Sequence, residues 1–205
     1  MSKDAENIIP LYETHAQKWD HIRRDNAAKG LMETQWLKHF TSLLPHQGSV
    51  LDIGCGAGEP MAGHLIRAGF QLTGVDSSAS LIDICRTRFP QQQWLVADMR
   101  ELSLPQKFDG MLAWNSFFHL QRDEQRRMFP RFAVHAQEDA VLMFTSGTSN
   151  GEAIGTLEGQ PLYHSSLAPE EYRTLLSDNG FDVMQYVEND PHCGNHTVWL
   201  CRKTT

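Results

Sequence analysis

The sequence predicts an α/β fold, a doubly wound and mostly parallel sheet with helices on both faces and an antiparallel C-terminal hairpin. Three observations carry this. From residue 49 onward, strand-like apolar runs alternate with helix-like segments, the pattern of a parallel sheet covered on both sides. The first of these strands runs straight into a glycine loop, "VLDIGCGAGEP" (residues 50–60). The chain closes with two strand-like runs in succession, "FDVMQYVEN" and "HTVWLCRK", joined by the turn-rich "DPHCGN", which reads as a hairpin.

Each element has its own signal. In the N-terminal fifth, Tyr12, His15, Trp19 and Ile22 fall at spacings of three and four, one stripe of a helix that Pro10 could open in its first turn. A second stripe, Trp36, Leu37, Phe40 and Leu43, stops before Pro45. Then come the strand "SVLDIG", the helix "MAGHLIRAG", the strand "FQLTGVD", and the helix "SASLIDICRTRF", which Ser77 or Ser78 can cap. "QWLVAD" and "FDGMLAWN" are strands, and "RDEQRRMFPRFAVHA" is a helix that Pro130 should kink or shorten. The strand "DAVLMFTS" precedes a glycine-rich and polar connection, 147–166, and the helix "PEEYRTLLSDNG".

Composition limits the function. The 205 residues suit a single domain over 1–205 with a sizeable core. A formal net charge of −7 argues against a nucleic-acid binder, which carries a basic surface. The longest unbroken apolar run, "AVLMF", is far too short for a membrane span, and "MSKDAENIIP" has no signal-peptide core. The four cysteines form no CxxC pair or disulfide framework, so a reducing cytoplasm is expected. No residue pattern specifies an oligomeric state.

The glycine loop points to a ligand. In doubly wound sheets ligands bind at the carboxyl ends of the strands, where strand order reverses. There, backbone N–H groups at a helix start favour an anion and missing Cβ atoms allow close approach. Asp76, ending the second strand about twenty residues on, has the spacing of a ribose-binding carboxylate. Loop and acid together indicate a nucleoside-containing ligand. A dinucleotide fingerprint wants glycine where Glu59 stands, and that carboxylate would sit badly against a pyrophosphate. Asp52 ends the first strand, better placed to orient a cation or the loop than to face phosphates. Asp98 in "VADM" ends the third strand, so two neighbouring acids could read a ribose and an adenine amino group. An adenosine that carries positive charge instead of phosphates, S-adenosylmethionine, fits this set.

In order along the chain, "VLDIGCGAGEP", "LTGVDSS", "VADM" and "FDGMLAWNSFFHL" resemble the motifs of class I S-adenosylmethionine-dependent methyltransferases. The resemblance covers residues 48–146 motif by motif. It implies a seven-stranded sheet with the last strand antiparallel, S-adenosylmethionine as cofactor and S-adenosylhomocysteine as product. It also implies residue roles: Gly54, Cys55 and Gly56 along the aminoacyl part, Asp76 on the ribose, Ser77 near the adenine, Asp98 on the adenine amino group, and the Met99 backbone N–H on a ring nitrogen. Trp114 and Asn115 would flank the methionine end. Cys55 and Glu59 are loop variants that leave the glycine positions intact.

Further candidates surround this core. His119 in "NSFFHL" follows the fourth strand and is the candidate catalytic base, with a structural loop histidine as its alternative. Phe117 and Phe118 could wall the acceptor or simply fill the core. Residues 1–46 read as a helical lid, with Tyr12 and Trp19 turned to the acceptor, or as a helix on the sheet edge; Arg23 and Arg24 could reach a carboxylate. The segment 147–166 is long for a connection and reads as an insertion near the acceptor site, with Glu152, Tyr163 and His164 its most able side chains. "HCGNH" (192–196) lacks the spacing of a closed zinc site, and no metal is expected. No Asn/Asp-Pro-Pro-Tyr/Phe signature follows the fourth strand, which favours a small-molecule acceptor over nucleic acid. Two rivals remain open: a nicotinamide-dependent oxidoreductase, and a non-catalytic sensor of S-adenosylmethionine or S-adenosylhomocysteine.

Overall fold

The computed structural model describes residues 3–204; Met1, Ser2 and Thr205, the outermost positions of the domain expected over 1–205, lie outside the described residues. The elements in chain order are α1 (Lys3–Glu6), α2 (Ile8–Thr14), α3 (Ala16–Ala28), α4 (Thr34–Ser42), β1 (Ser49–Ile53), α5 (Met61–Arg67), β2 (Gln71–Asp76), α6 (Ala79–Arg88), β3 (Gln93–Val96), β4 (Phe108–Ala113), α7 (Arg122–His135), β5 (Ala136–Ser146), β6 (Gly151–Leu157), β7 (Gln160–Ser166), α8 (Pro169–Asp178), β8 (Phe181–Asp190) and β9 (His196–Lys203).

Seven strands form one sheet in the order β3-β2-β1-β4-β5-β9-β8. Pairings from β3 through β5 are parallel, and β9 runs antiparallel to both β5 and β8. The expected doubly wound sheet and C-terminal hairpin are both present. Strand order reverses between β1 and β4, which opens a crevice at their carboxyl ends.

Alternation along the central strands divides the core between the two faces. Leu51 and Ile53 of β1 and Leu142 and Phe144 of β5 join a cluster with Phe129 and Phe132 of α7 and Tyr172 of α8. Val50, Val141 and Met143 point the other way, against Trp36, Leu37 and Phe40 of α4, Leu65 of α5 and Ile82 of α6. No helix among the described residues is long and apolar enough to cross a membrane.

Three readings of the sequence need correction. The stripe from Tyr12 to Ile22 is not one helix, because the chain breaks at His15 between α2 and α3. Pro130 does not shorten α7, which continues to His135. Burial of Met128, Phe129 and Phe132 outweighs the roughly 3 kcal/mol that an interior proline costs a helix. Finally, 147–166 is largely a regular hairpin, with β6 and β7 in register from Gly151↔Ser166 to Leu157↔Gln160. Its tip, Glu158 and Gly159, has φ of 54° and 76°, the backbone of a tight two-residue turn between twisted strands.

Candidate active site

The crevice at the carboxyl ends of β1 and β4 holds a cleft. Its floor is the glycine loop. Gly54 has φ +75°, and a Cβ there would stand 2.3 Å from Cβ of Ser116, so no other residue fits. Ser116 closes the floor by donating from Oγ to the Ile53 carbonyl at 2.6 Å. A Cβ at Gly56 would touch only Trp19 Nε1, at 3.6 Å. Cys55 lines the cleft beside them.

The acids behave differently from one another. Asp76 accepts from the Gly56 N–H and the Ser78 N–H, each at 2.9 Å. Burial nevertheless raises its pKa against those bonds. Asp52 is buried, and its Oδ2 has no hydrogen-bond partner. Burial, with the charge of Asp76 added, lifts its pKa to about 7. An acceptor left bare in a low-dielectric floor favours an incoming cationic donor. Asp98 is held below the usual carboxylate range: burial works the other way, but the Arg100 guanidinium and N–H prevail. Arg100 Nε lies 3.0 and 2.9 Å from the two oxygens, and Arg100 Nη1 continues to Glu124 at 3.0 Å. Nothing in the strand pattern announces Arg100 as this partner, although it stands only two residues on. Met99 and Ser77 line the same end of the cleft, and Ser78, not Ser77, caps α6 by accepting from Leu81 N–H at 3.1 Å.

Trp114 and Asn115 stand where β4 ends and line the cleft. Trp114 Nε1 is a second buried polar atom without a partner. Asn115 has φ 51°, and its N–H donates to Thr145 Oγ1 at 2.9 Å. The following turn buries Phe117 among Phe129, Phe132, Phe144 and Tyr172, with ring centroids 5.4 to 6.2 Å apart. That resolves Phe117 as core, and it anchors the turn that carries His119.

His119 is the best-defined side chain in the cleft. Its Nδ1 lies 2.7 Å from the Tyr163 carbonyl, which can only accept, so Nδ1 carries the proton and Nε2 keeps its lone pair. Nε2 receives the Tyr12 hydroxyl at 3.0 Å. Burial and the nearby His164 lower the His119 pKa to about 4 despite the Tyr163 carbonyl, so the imidazole is neutral at pH 7. Burial, reinforced by Asp76, raises the Tyr12 pKa, which keeps its hydroxyl protonated as the donor.

The N-terminal helices cover this cleft. Tyr12 and Trp19 meet edge to face at 5.3 Å between centroids. Glu13 accepts from the hydroxyls of Ser78 and Ser80 at 2.5 and 2.6 Å. Asp20, buried, accepts from both terminal nitrogens of Arg88 at 2.8 Å. Arg23 lines the cleft and pairs with Glu33 at 3.0 Å, while Arg24 pairs with Asp20 outside it. Glu13 and Arg88 were invisible in the sequence because their partners lie more than sixty residues away.

Three expected acceptor residues are placed elsewhere. Tyr163 is fully buried with its hydroxyl unpartnered, and what reaches His119 is its backbone carbonyl. Phe118 and His164 border a separate recess together with Glu152. Their rings lie 4.9 Å from that of His119, so they back it from behind. The reason is strand alternation: Tyr163 faces inward on β7, which turns His164 to the other side.

Comparison with known proteins agrees with this geometry. A family model for a methyltransferase domain matches residues 50–139. The dTDP-3-amino-3,6-dideoxy-alpha-D-glucopyranose N,N-dimethyltransferase of Streptomyces fradiae is 32% identical over 101 residues, covering 48% of this chain and 39% of that protein. A ubiquinone biosynthesis O-methyltransferase of Coxiella burnetii is 26% identical over 212 residues, covering 97% and 83%. The chain spans only 30% to 40% of the length of the three curated relatives that are 32% to 35% identical to it. Among solved structures, the 1,6-didemethyltoxoflavin-N1-methyltransferase of Burkholderia thailandensis, with S-adenosylhomocysteine bound, has a TM-score of 0.73 at 18% identity over 100% of this chain and 92% of that one. An amino pentose methyltransferase of Micromonospora echinaspora has a TM-score of 0.67 at 17% identity, covering 83% and 89%. With the glycine floor, the strand-end acids and the sheet order already in place, residues 50–139 resemble a methyltransferase domain, and the whole chain has the fold of S-adenosylmethionine-dependent methyltransferases.

Proposed function

We propose that this chain binds S-adenosylmethionine in the cleft and transfers its methyl group to a small-molecule acceptor. The observation that carries the reading is the buried, partnerless Oδ2 of Asp52 beside a floor that only Gly54 can form. That floor suits a cationic ligand at close range and leaves no reason for a phosphate. The donor and acceptor set fits the cofactor's parts. Asp76 is offered to ribose hydroxyls, Asp98 and Met99 to the adenine with Ser77 beside it, Asp52 to the ammonium and Arg23 to the carboxylate. Gly54, Cys55, Gly56, Trp114 and Asn115 border the methionine portion.

When bound, S-adenosylmethionine supplies a methyl group already activated by a sulfonium centre. What remains for the protein is alignment, exclusion of water and custody of a proton. Helices α1 to α3, from which Ile8, Tyr12, Trp19 and Arg23 line the cleft, serve as the lid over the reactants, and holding two reactants in register is worth roughly 7 to 11 kcal/mol. His119 receives the acceptor's proton at Nε2, the position that the Tyr12 hydroxyl fills in this structure. Tyr12 and Trp19 form the lid side of the acceptor space, and Phe118 and His164 support His119 from the recess behind. The relatives above include an N,N-dimethyltransferase and an O-methyltransferase, which supports a nitrogen or oxygen acceptor.

Calorimetric titration with S-adenosylmethionine, S-adenosylhomocysteine and NAD tests the reading. Micromolar binding of both adenosyl compounds, lost in Asp76→Ala, is the expected result, and binding of NAD alone overturns it. Methyl transfer lost in His119→Gln with cofactor affinity retained distinguishes an enzyme from a sensor.

A further inference from the structure

The orientation of His119 depends on two backbone segments far apart in sequence, the turn at residues 117–120 and strand β7. One buried side chain joins them. Gln125 of α7 is fully buried, and its Nε2 donates to the Leu120 carbonyl at 2.9 Å, the Ser165 carbonyl at 2.9 Å and Ser165 Oγ at 3.0 Å. Its Oε1 accepts from the Tyr172 hydroxyl at 2.5 Å. Ser165 Oγ in turn donates to the Leu120 carbonyl at 2.6 Å, and Tyr172 Oη accepts from Leu167 N–H at 3.1 Å. Every polar atom of the amide is committed, and every partner but Tyr172 belongs to one of the two segments that meet at His119.

We infer that Gln125 is a positioning residue for His119, acting through the spacing of the two segments. Leu120 follows His119 directly, and Ser165 lies two residues from Tyr163 on the same edge of β7. The amide therefore sets how closely the Tyr163 carbonyl approaches Nδ1. That contact holds the proton on Nδ1 and keeps the lone pair on Nε2, toward Tyr12 and the cleft. A carboxamide suits the task because a single planar group both donates to carbonyls on two segments and accepts from a hydroxyl. A methionine of similar length fills the volume and supplies no donor.

The inference rests on the reading of His119 as the proton acceptor, but its test does not depend on turnover. Nitrogen-15 NMR of the imidazole reports tautomer and pKa in the wild type, in Gln125→Met and in the milder Tyr172→Phe, with the fold checked by circular dichroism. The wild type should show the Nδ1–H tautomer alone, with its titration near pH 4. Gln125→Met should show mixed tautomers and a titration moved further down, because the Tyr163 carbonyl is the contact that opposes burial, and Tyr172→Phe a smaller shift in the same direction. In a methyl-transfer assay kcat should fall about tenfold in Gln125→Met with KM for the cofactor unchanged, and the acid limb of the pH profile should follow the NMR titration. Should Gln125→Met fail to fold, the Tyr172→Phe spectrum decides. A folded variant with an unmoved His119 tautomer and pKa overturns the positioning role, even if turnover drops. A shifted imidazole together with full activity in His119→Gln leaves the positioning intact and removes the catalytic reading instead.

Discussion

Tyr12 and His119, 107 residues apart, share a hydrogen bond of 3.0 Å between the phenolic oxygen and Nε2. The contact joins the N-terminal helices to the strand-end turn, and it occupies the Nε2 lone pair of an imidazole that is neutral at pH 7. Tyr12→Phe removes the donor and leaves Nε2 buried without a partner. Such a loss costs about 1 to 3 kcal/mol. A chemical denaturation series should show that cost, and limited proteolysis should cut residues 3–28 sooner. Unchanged protection would separate the lid from this bond.

His119 also gives stability a pH dependence. Its folded pKa is about 4, below the value near 6.5 of an unfolded histidine. The unfolded chain therefore binds more protons between these values, and this contribution to stability is full above pH 6.5 and lost as pH falls toward 4. The span corresponds to about 3 kcal/mol. The slope of unfolding free energy between pH 4.5 and 6.5 should be shallower in His119→Gln than in the wild type.

Asp52 should release a proton when the cofactor binds. With a pKa near 7 it is partly protonated at neutral pH, and an ammonium group on Oδ2 favours the ionised form. Affinity should rise with pH up to about 7 and then level off. Calorimetry in two buffers of different ionisation enthalpy should detect the proton in the wild type and not in Asp52→Asn. Equal proton release from both proteins would assign the titration to another group.

The two loop glycines should separate folding from binding. Gly54→Ala drives a Cβ to 2.3 Å from Cβ of Ser116 and also carries a left-handed backbone cost of about 1 to 3 kcal/mol, so the free energy of unfolding should fall by more than that. Gly56→Ala meets only Trp19 Nε1, at an ordinary contact distance of 3.6 Å. It should cost about 1 to 2 kcal/mol in stability and lose cofactor binding, because the methyl enters the space left for the ligand. Equal losses of stability in the two variants would contradict the assigned geometry.

Asp76→Ala removes the acceptor of two backbone N–H groups, Gly56 and Ser78, as well as the proposed ribose contact. Hydrogen bonds to a charged acceptor are worth about 1.5 to 3 kcal/mol each, so cofactor affinity should fall at least tenfold. Ser77→Ala, which leaves those bonds in place, should change it little. Binding curves for the two variants side by side check the contrast.

The alternation of strands and helices, the glycine floor and the three strand-end acids were legible because each is a local signal. A strand followed by a glycine turn needs only a handful of neighbouring residues, and the carboxyl ends of parallel strands place Asp52, Asp76 and Asp98 at one rim whatever the side chains around them. The hairpin of β6 and β7 was missed even though Glu158-Gly159 is a turn signal, because β6 is mostly exposed and neither strand has a clear apolar alternation. Tertiary structure alone decided the rest. It set Tyr12 on His119, Glu13 on Ser78 and Ser80, and Gln125 between Leu120 and Ser165, pairings that exist only once distant segments are packed together. It turned Tyr163 into the core and left its carbonyl to hold His119. It also decided charge: Asp52, Asp76 and His119 take their ionisation from burial and from neighbours brought by the fold, which the order of residues does not show.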